Sequence, residues 1–322
     1  MSTTTQTAPS LERTFTAMAS QVTVRILHPE ASAEAALDAV TELFAEIERT
    51  CTRFDDSSDL MRANAAGRGW CEVSSTCLDI LTEAYDAYRS TDGVFDPRTL
   101  ESLARLGYDR SWEKVSKGLH ELRTEGAPSR STRRWRPNFD DARSRVKLGS
   151  RPVDLGGIAK GIAVRQSLQL LRGHGRSALV EAGGDLAVFG PGPQGPEWRV
   201  RVESPFGGVD PVAVLDVRDI SVATSSIRRR QWTVDGRSVH HLIDPRTGSP
   251  AVSGLRSVTI VHPDAAQAEV WTKVAFLAGS TGIRALTDGR SLPAVWVDEA
   301  GRVGYSRAAA PLMGWKVSRV RE

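Results

Sequence analysis

The run Val153-Asp154-Leu155-Gly156-Gly157-Ile158-Ala159-Lys160-Gly161 sets an acid, two adjacent glycines and a lysine at the mouth of an amphipathic stretch. Without a Cβ, Gly156 and Gly157 can reach positive φ and let a ligand come close to the backbone. Beyond them Ile158, Ala159, Ile162, Ala163, Leu168, Leu170 and Leu171 recur at helical spacing as far as Gly173. A glycine turn opening a helix aims N–H groups and the positive dipole end at whatever lies in front, which suits an anion, phosphate first. An ordinary loop-to-helix entry with a solvated lysine is the competing reading of these residues taken alone. The run is not a P-loop, which needs Gly-Lys-Ser/Thr after four spacer residues.

Four further stretches concentrate glycine, acid and hydroxyl: Glu181-Ala182-Gly183-Gly184-Asp185; Ala223-Thr224-Ser225-Ser226, trailed by Arg228-Arg229-Arg230; His240-His241-Leu242-Ile243-Asp244-Pro245-Arg246-Thr247-Gly248; and Ala268-Glu269-Val270-Trp271-Thr272-Lys273. Each has a plain structural reading: a tight turn, a solvated basic face, or type I turn chemistry in Asp-Pro-Arg-Thr-Gly. Adjacent rings on a strand face opposite ways, so at most one of His240 and His241 points into a given site. The literal G-x-G-x-x-G at Gly190-Pro191-Gly192-Pro193-Gln194-Gly195 carries two prolines and precedes a strand, so it reads as a hairpin loop and not a dinucleotide fingerprint.

The elements that must position these residues follow from periodicity. Residues 1–13 read as a disordered tail, and Phe15 to Leu27 alternates as a strand. Helices are expected over Ala33–Arg49, a short segment ending near Asn64, Ser74–Arg89, and a short run to Gly107. Residues 124–145, rich in Arg, Pro and Ser, read as an exposed loop. The second half is mostly strands: Ala178–Glu181, Leu186–Phe189, Trp198–Glu203, Val212–Val217, Ser221–Ala223, Gln231–Val234, Val239–Ile243, Val258–Val261 and Ala294–Val297. Two helices interrupt them, at Ala265–Ala278 and Thr281–Leu286. Strand runs with segregated helices predict an α+β fold with mixed or antiparallel sheets, organised as one domain over 14–322.

Composition sets the outer bounds. A chain of 322 residues, 40% hydrophobic and 25% charged, can bury an ample core. A net charge of +3 is too small to argue for nucleic acid but suits a small anionic ligand. The three cysteines lack metal-ligand spacing, and their odd number argues against a disulfide framework. No segment reaches the ~18 apolar residues of a membrane span, and the N-terminal residues lack the basic and apolar regions of a signal peptide, so a cytoplasmic location is expected.

Taken in order, Phe95-Asp96-Pro97, Asp154 to Gly161, Gly183-Gly184-Asp185, Thr224-Ser225 and His241 to Gly248 resemble the ApbE family, the FAD:protein FMN transferases. Met18-Ala19-Ser20 is similar to the family's early Met-Gly-Thr, and Ser58-Asp59-Leu60 with Asn64 to its Ser-Glu-Leu…Asn. The resemblance implies a T-fold-like, two-lobed α+β architecture holding FAD between its lobes with a divalent cation, usually Mg²⁺. It further implies that FMN passes through its phosphate to a Thr or Ser of an acceptor flavoprotein, with release of AMP. His241 is the implied catalytic base and Asp244 its implied partner. An unperturbed pKa near ~6.5 suits a base at neutral pH. Met18, Ser20, Asp96, Asp154, Gly156, Gly157, Lys160, Gly183, Gly184, Asp185, Thr224, Ser225, Arg246 and Thr247 fall at positions around the flavin nucleotide. The carbonyl of Ala159 and the carboxylate of Glu269 fall at metal-ligand positions.

The chain departs from the family pattern at the metal. Where Ala-Asp-x-x-x-Thr is usual, it has Glu269 for Asp and Lys273 for Thr. An ammonium cannot ligate a cation, and Thr272 is one residue out of phase, roughly 100° around the helix. Arg98 stands where Thr is usual after Phe-Asp-Pro, and Arg165 where the family often has Asp. Two rival readings stay open on the sequence: an FAD-binding protein without transferase activity, acting as carrier or sensor, and a pyrophosphatase splitting FAD into FMN and AMP.

Overall fold

The computed structural model describes residues 8–108 and 134–320. Its centre is an eight-stranded sheet whose spatial order repeats the chain order: β1 (Ser10–Ala17), β2 (Ser20–Pro29), β3 (Gly175–Ala182), β4 (Asp185–Phe189), β5 (Ile220–Ser226), β6 (Leu255–His262), β7 (Ala294–Asp298) and β8 (Val303–Tyr305). Every neighbouring pair is antiparallel. Period-2 alternation sorts the side chains onto two faces. Val24, Ile26, Ile260 and Trp296 meet the helices on one side, while Leu27, Val188, Val261 and Val297 meet a second sheet on the other. That second sheet joins Met313–Lys316, Pro211–Val217 and Trp198–Glu203.

Between β2 and β3 the chain makes α1 (Ala33–Cys51), α2 (Asp59–Ala66), α3 (Ser75–Ser90), α4 (Leu100–Arg105) and α5 (Ala159–Leu170). The last helix, α6 (Ala265–Gly289), joins β6 to β7. Sequence periodicity divides it into two helices, and they meet where expected, at Gly279, whose φ of 73° no helix accommodates. Gly161 lets α5 and α6 cross closely: a Cβ there would lie 2.5 Å from the carbonyl oxygen of Ala265. Ser58 and Ser74 cap α2 and α3 by accepting from the amides of Met61 and Cys77.

Four expectations about the frame need correction. The tail expected over 1–13 is strand from Ser10 onward, paired with β2, and the single strand expected over 15–27 is a hairpin. Its two-residue turn holds Met18 and Ala19 at φ 53°, left-handed values usually given to glycine or asparagine. The strand expected over Val239–Ile243 ends at His240, and a new one starts at Ile243. Of the exposed loop expected over 124–145, residues 124–133 lie outside the described residues, while Asn138–Asp140 and Arg145–Lys147 pair as strands. Cys51, Cys71 and Cys77 are free thiols. Among the described residues no helix is long and apolar enough to cross a membrane.

Candidate active site

A cavity of about 710 Å³ opens where the β1–β2 turn, the loop before α5, the end of α1 and the segment after His240 converge. That size is typical of a small-molecule site. Met18, Ser20, Asp96, Asp154, Gly156, Gly157, Ala159, Lys160 and His241, all singled out in the sequence, line it, and so does Lys273.

The loop before α5 is held from both sides. The Asn64 amide clamps Val153 by donating to its carbonyl at 2.9 Å and accepting its N–H at 2.8 Å. The Asp154 amide donates to the carbonyl of Pro97 at 2.8 Å, which ties the loop to the Phe95-Asp96-Pro97 segment. Asp154 then turns the chain by accepting from the Gly156 amide at 3.0 Å. Neither Gly156 nor Gly157 adopts the positive φ expected of it. Close approach is the reason for Gly157: a Cβ would meet Lys273 Cε at 3.1 Å and the Phe95 ring at 3.2 Å.

The start of α5 was expected to offer its amides to a phosphate. An anion already sits there, and it is Glu269 from α6. Its Oε2 accepts from the Gly161 amide at 2.8 Å, and its Oε1 from Lys160 Nζ at 2.7 Å and Lys273 Nζ at 3.3 Å. Lys160 also pairs with Asp185, whose other oxygen accepts from the Thr224 amide at 3.1 Å. The result is a buried cluster of two ammoniums and two carboxylates. Burial disfavours charge on Glu269, but Lys160 and Lys273 outweigh it and hold its carboxyl at about 2. Burial opposes charge on Lys160 too, yet Asp185 and Glu269 raise its pKa above the ordinary value. Lys273 is pushed below the ordinary value, by burial first and by the charge of Lys160.

His241 lies in the bend after the Arg237–His240 strand, with its Nδ1 3.3 Å from the Arg230 carbonyl oxygen. A carbonyl only accepts, so this contact assigns the proton to Nδ1 and leaves the lone pair on Nε2. Burial, with the charges of Arg230, His240 and Lys273, holds His241 well below 6.5, so the ring is neutral at pH 7. His240 faces elsewhere: its Nε2 donates to the Ala251 carbonyl at 3.1 Å and its ring meets Phe276 edge-on.

Several residues singled out with the site stand apart from the cavity. Gly183 and Gly184 form the two-residue β3–β4 turn at φ 62° and 100°. Asp185 and Thr224 stand behind Lys160, and Ser225 reaches Thr272 at 2.6 Å. Asp244 turns away from His241: it accepts from the Arg246 amide at 2.9 Å and pairs with its guanidinium at 2.7 Å, shaping a tight turn with Thr247. Asp96, which does line the cavity, is engaged in the same way by Arg98, at 2.7 Å. Arg165 bridges Glu83 and Asp264 at 2.6 and 2.8 Å, far from the role an acid would have there.

Sequence reasoning passed over Arg53, a cavity cation only 6% exposed along its side chain. Its guanidinium lies 4.2 Å from the centre of the Tyr108 ring and 4.5 Å from that of Phe54, and donates to the Tyr108 carbonyl at 2.7 Å. The adjacent Arg-Phe pair in a polar segment was the available signal; the third partner lies 55 residues on.

A divalent cation does not fit the donors present. The Glu269 carboxylate is shared by three N–H donors, the neighbouring position carries the Lys273 ammonium, and Thr272 is fully buried, donating to the Glu269 carbonyl at 2.7 Å. Among the described residues no group of three or more His, Cys, Asp and Glu is placed to hold a metal.

The sequence matches the family model described as "ApbE family" over residues 18–296. It is 32% identical to the FAD:protein FMN transferase of Treponema pallidum over 274 residues, covering 80% of this chain and 75% of that protein. The FAD:protein FMN transferase of Klebsiella pneumoniae is 29% identical over 75% of this chain and 71% of its own length. Among solved structures, the ApbE protein of Thermotoga maritima superposes with a TM-score of 0.79 at 26% identity, over 94% of this chain and 99% of that one.

Proposed function

Since the chain belongs to the ApbE family, we propose that it is itself an FAD:protein FMN transferase, moving FMN from FAD onto a Thr or Ser hydroxyl of an acceptor protein and releasing AMP. The observation that carries this reading is one cavity lined by a neutral histidine, His241, and by two lysines, Lys160 from the start of α5 and Lys273 from α6. FAD is the substrate. Phe54, Phe95, Phe276 and Tyr108 line the cavity with rings suited to an aromatic ligand, and Lys160 and Lys273 supply charge for a pyrophosphate.

In the transfer, the acceptor hydroxyl gives its proton to Nε2 of His241 while its oxygen bonds to the phosphorus on the flavin side. The pyrophosphate bond to the adenylate breaks, and its electron pair leaves with AMP. Charge builds on the phosphoryl oxygens as this happens, and the lysines are the fixed groups that oppose it. Arg230 orients the base through its carbonyl, and burial first, with the Arg230 charge second, keeps the imidazole unprotonated. The divalent cation expected from the family finds no donor set here, and no step is assigned to it.

The test is to incubate the full chain with FAD and candidate acceptor proteins bearing an exposed Thr or Ser, then follow AMP by chromatography and flavin fluorescence on the denatured acceptor. AMP together with covalently labelled acceptor supports transfer. AMP and free FMN without labelling would instead favour hydrolysis, and no AMP at all would leave an FAD-binding protein without chemistry.

A further inference from the structure

The cation at the crossing of α5 and α6 belongs to the protein. Lys160 reaches Glu269 Oε1 from α5 and Lys273 reaches the same oxygen from α6, so one carboxylate holds two ammoniums together. Both lysines line the cavity, whereas Glu269 is only 2% exposed and stands behind them. The Lys273 stem runs along the glycine loop, with Cε close to Gly157. An ammonium has three N–H groups. Lys273 makes two bonds, both to Glu269, at 3.1 Å to the carbonyl and a longer 3.3 Å to the carboxylate. Lys160, by contrast, is gripped by Glu269 and Asp185 together. Lys273 is therefore the more loosely held charge of the pair.

We propose that Lys273 stands in for the divalent cation, so that Lys160 and Lys273 hold the FAD pyrophosphate and binding needs no metal. This rests on the reading that FAD is the substrate. Lys273 brings one positive charge where Mg²⁺ would bring two, and Glu269 and the Gly161 amide fix where that charge sits beside Lys160. They offer no open coordination position, so neither chelator nor added metal has anything to act on.

Calorimetric titration of FAD and of riboflavin into the wild-type chain and Lys273→Thr, each in EDTA and in millimolar Mg²⁺, tests the proposal. Wild-type FAD affinity is expected to agree within about threefold between the two conditions. Lys273→Thr is expected to bind FAD about tenfold or more weakly in EDTA, to recover in Mg²⁺, and to bind riboflavin unchanged. Mn²⁺ titrated with FAD present should bind Lys273→Thr and not the wild type. Lys273→Met, which restores no metal ligand, should stay weak in both conditions. Wild-type affinity rising about tenfold with Mg²⁺ would overturn the proposal while leaving FAD as substrate, and so would Lys273→Thr matching the wild type in EDTA. The wild-type comparison decides the matter alone if the variants do not fold. A wild type that binds riboflavin but no FAD in either condition would overturn the FAD reading itself.

Discussion

Replacing Glu269 by Gln keeps the side chain's shape and removes one charge from the α5–α6 crossing. In the wild type that carboxylate accepts from Lys160, Lys273 and the Gly161 amide. A lowering from 4.5 to about 2 corresponds to about 3 kcal/mol of native-state stabilisation, at ~1.4 kcal/mol per unit. Breaking one partner of a buried ion pair costs a similar ~3–5 kcal/mol. With an unfolding entropy of ~2.1 cal/mol/K per residue, about 3 kcal/mol lowers the melting temperature by roughly 4 °C in a chain of this size. The pH dependence gives a sharper test. A carboxyl depressed in the folded state stabilises fully above its unfolded pKa and loses that contribution as pH falls through the folded value. The gap between wild type and Glu269→Gln should thus be full at pH 7, shrink below 4.5, and fall to about 1 kcal/mol near pH 3. Calorimetric melting of both proteins at pH 7 and pH 3 reads it directly. Equal melting temperatures at pH 7, or a gap that does not narrow in acid, would refute the electrostatic account of this cluster.

Further outcomes follow from the same geometry. His241→Ala should cut AMP formation by about 10²–10⁴ with FAD affinity changed only a few-fold, whereas His240→Ala should retain the rate. Steady-state kinetics on both variants separates the two rings. As His241 sits well below 6.5, wild-type kcat/KM should stay level from pH 8 down past pH 6.5 and fall only in more acidic solution; an inflection at 6.5 would mean a solvated ring. Ala19→Gly, which relieves a left-handed alanine at φ 53°, should stabilise by about 0.5–1 kcal/mol, measured by thermal melting. Gly161→Ala places a Cβ 2.5 Å from the Ala265 carbonyl oxygen and should destabilise by about 1–3 kcal/mol in the same assay.

Local sequence carried much of the frame. Alternation in Val22, Val24 and Ile26 marked a strand because a pleated sheet sorts its side chains with period 2, while the unbroken apolar run Ala294–Val297 marked one covered by a layer on each face. The helical spacing after Gly157, the turn chemistry of Asp244 to Gly248 and the loop character of Gly190–Gly195 were legible for the same reason: neighbouring residues decide them. The motif residues that line the cavity, from Asp154 to Lys160 and at His241, were legible as types in a fixed order.

What the chain could not announce locally was which charges meet. The resemblance implied Asp244 as the partner of His241, but Arg246 lies closer along the turn and takes it, and the histidine instead contacts a backbone carbonyl 11 residues back. The glycines at 156 and 157 were expected for their φ; Gly157 is needed because Lys273 and Phe95 press against it from distant parts of the chain. The amides opening α5 looked free for phosphate until α6 delivered a carboxylate from 108 residues away. Such pairings depend on how helices cross and on the high cost of burying a charge without a partner, and no window of sequence contains both halves of them. Residue order determined the elements and the kinds of group present; the crossing of α5 and α6 decided that two lysines share one glutamate where a metal was expected.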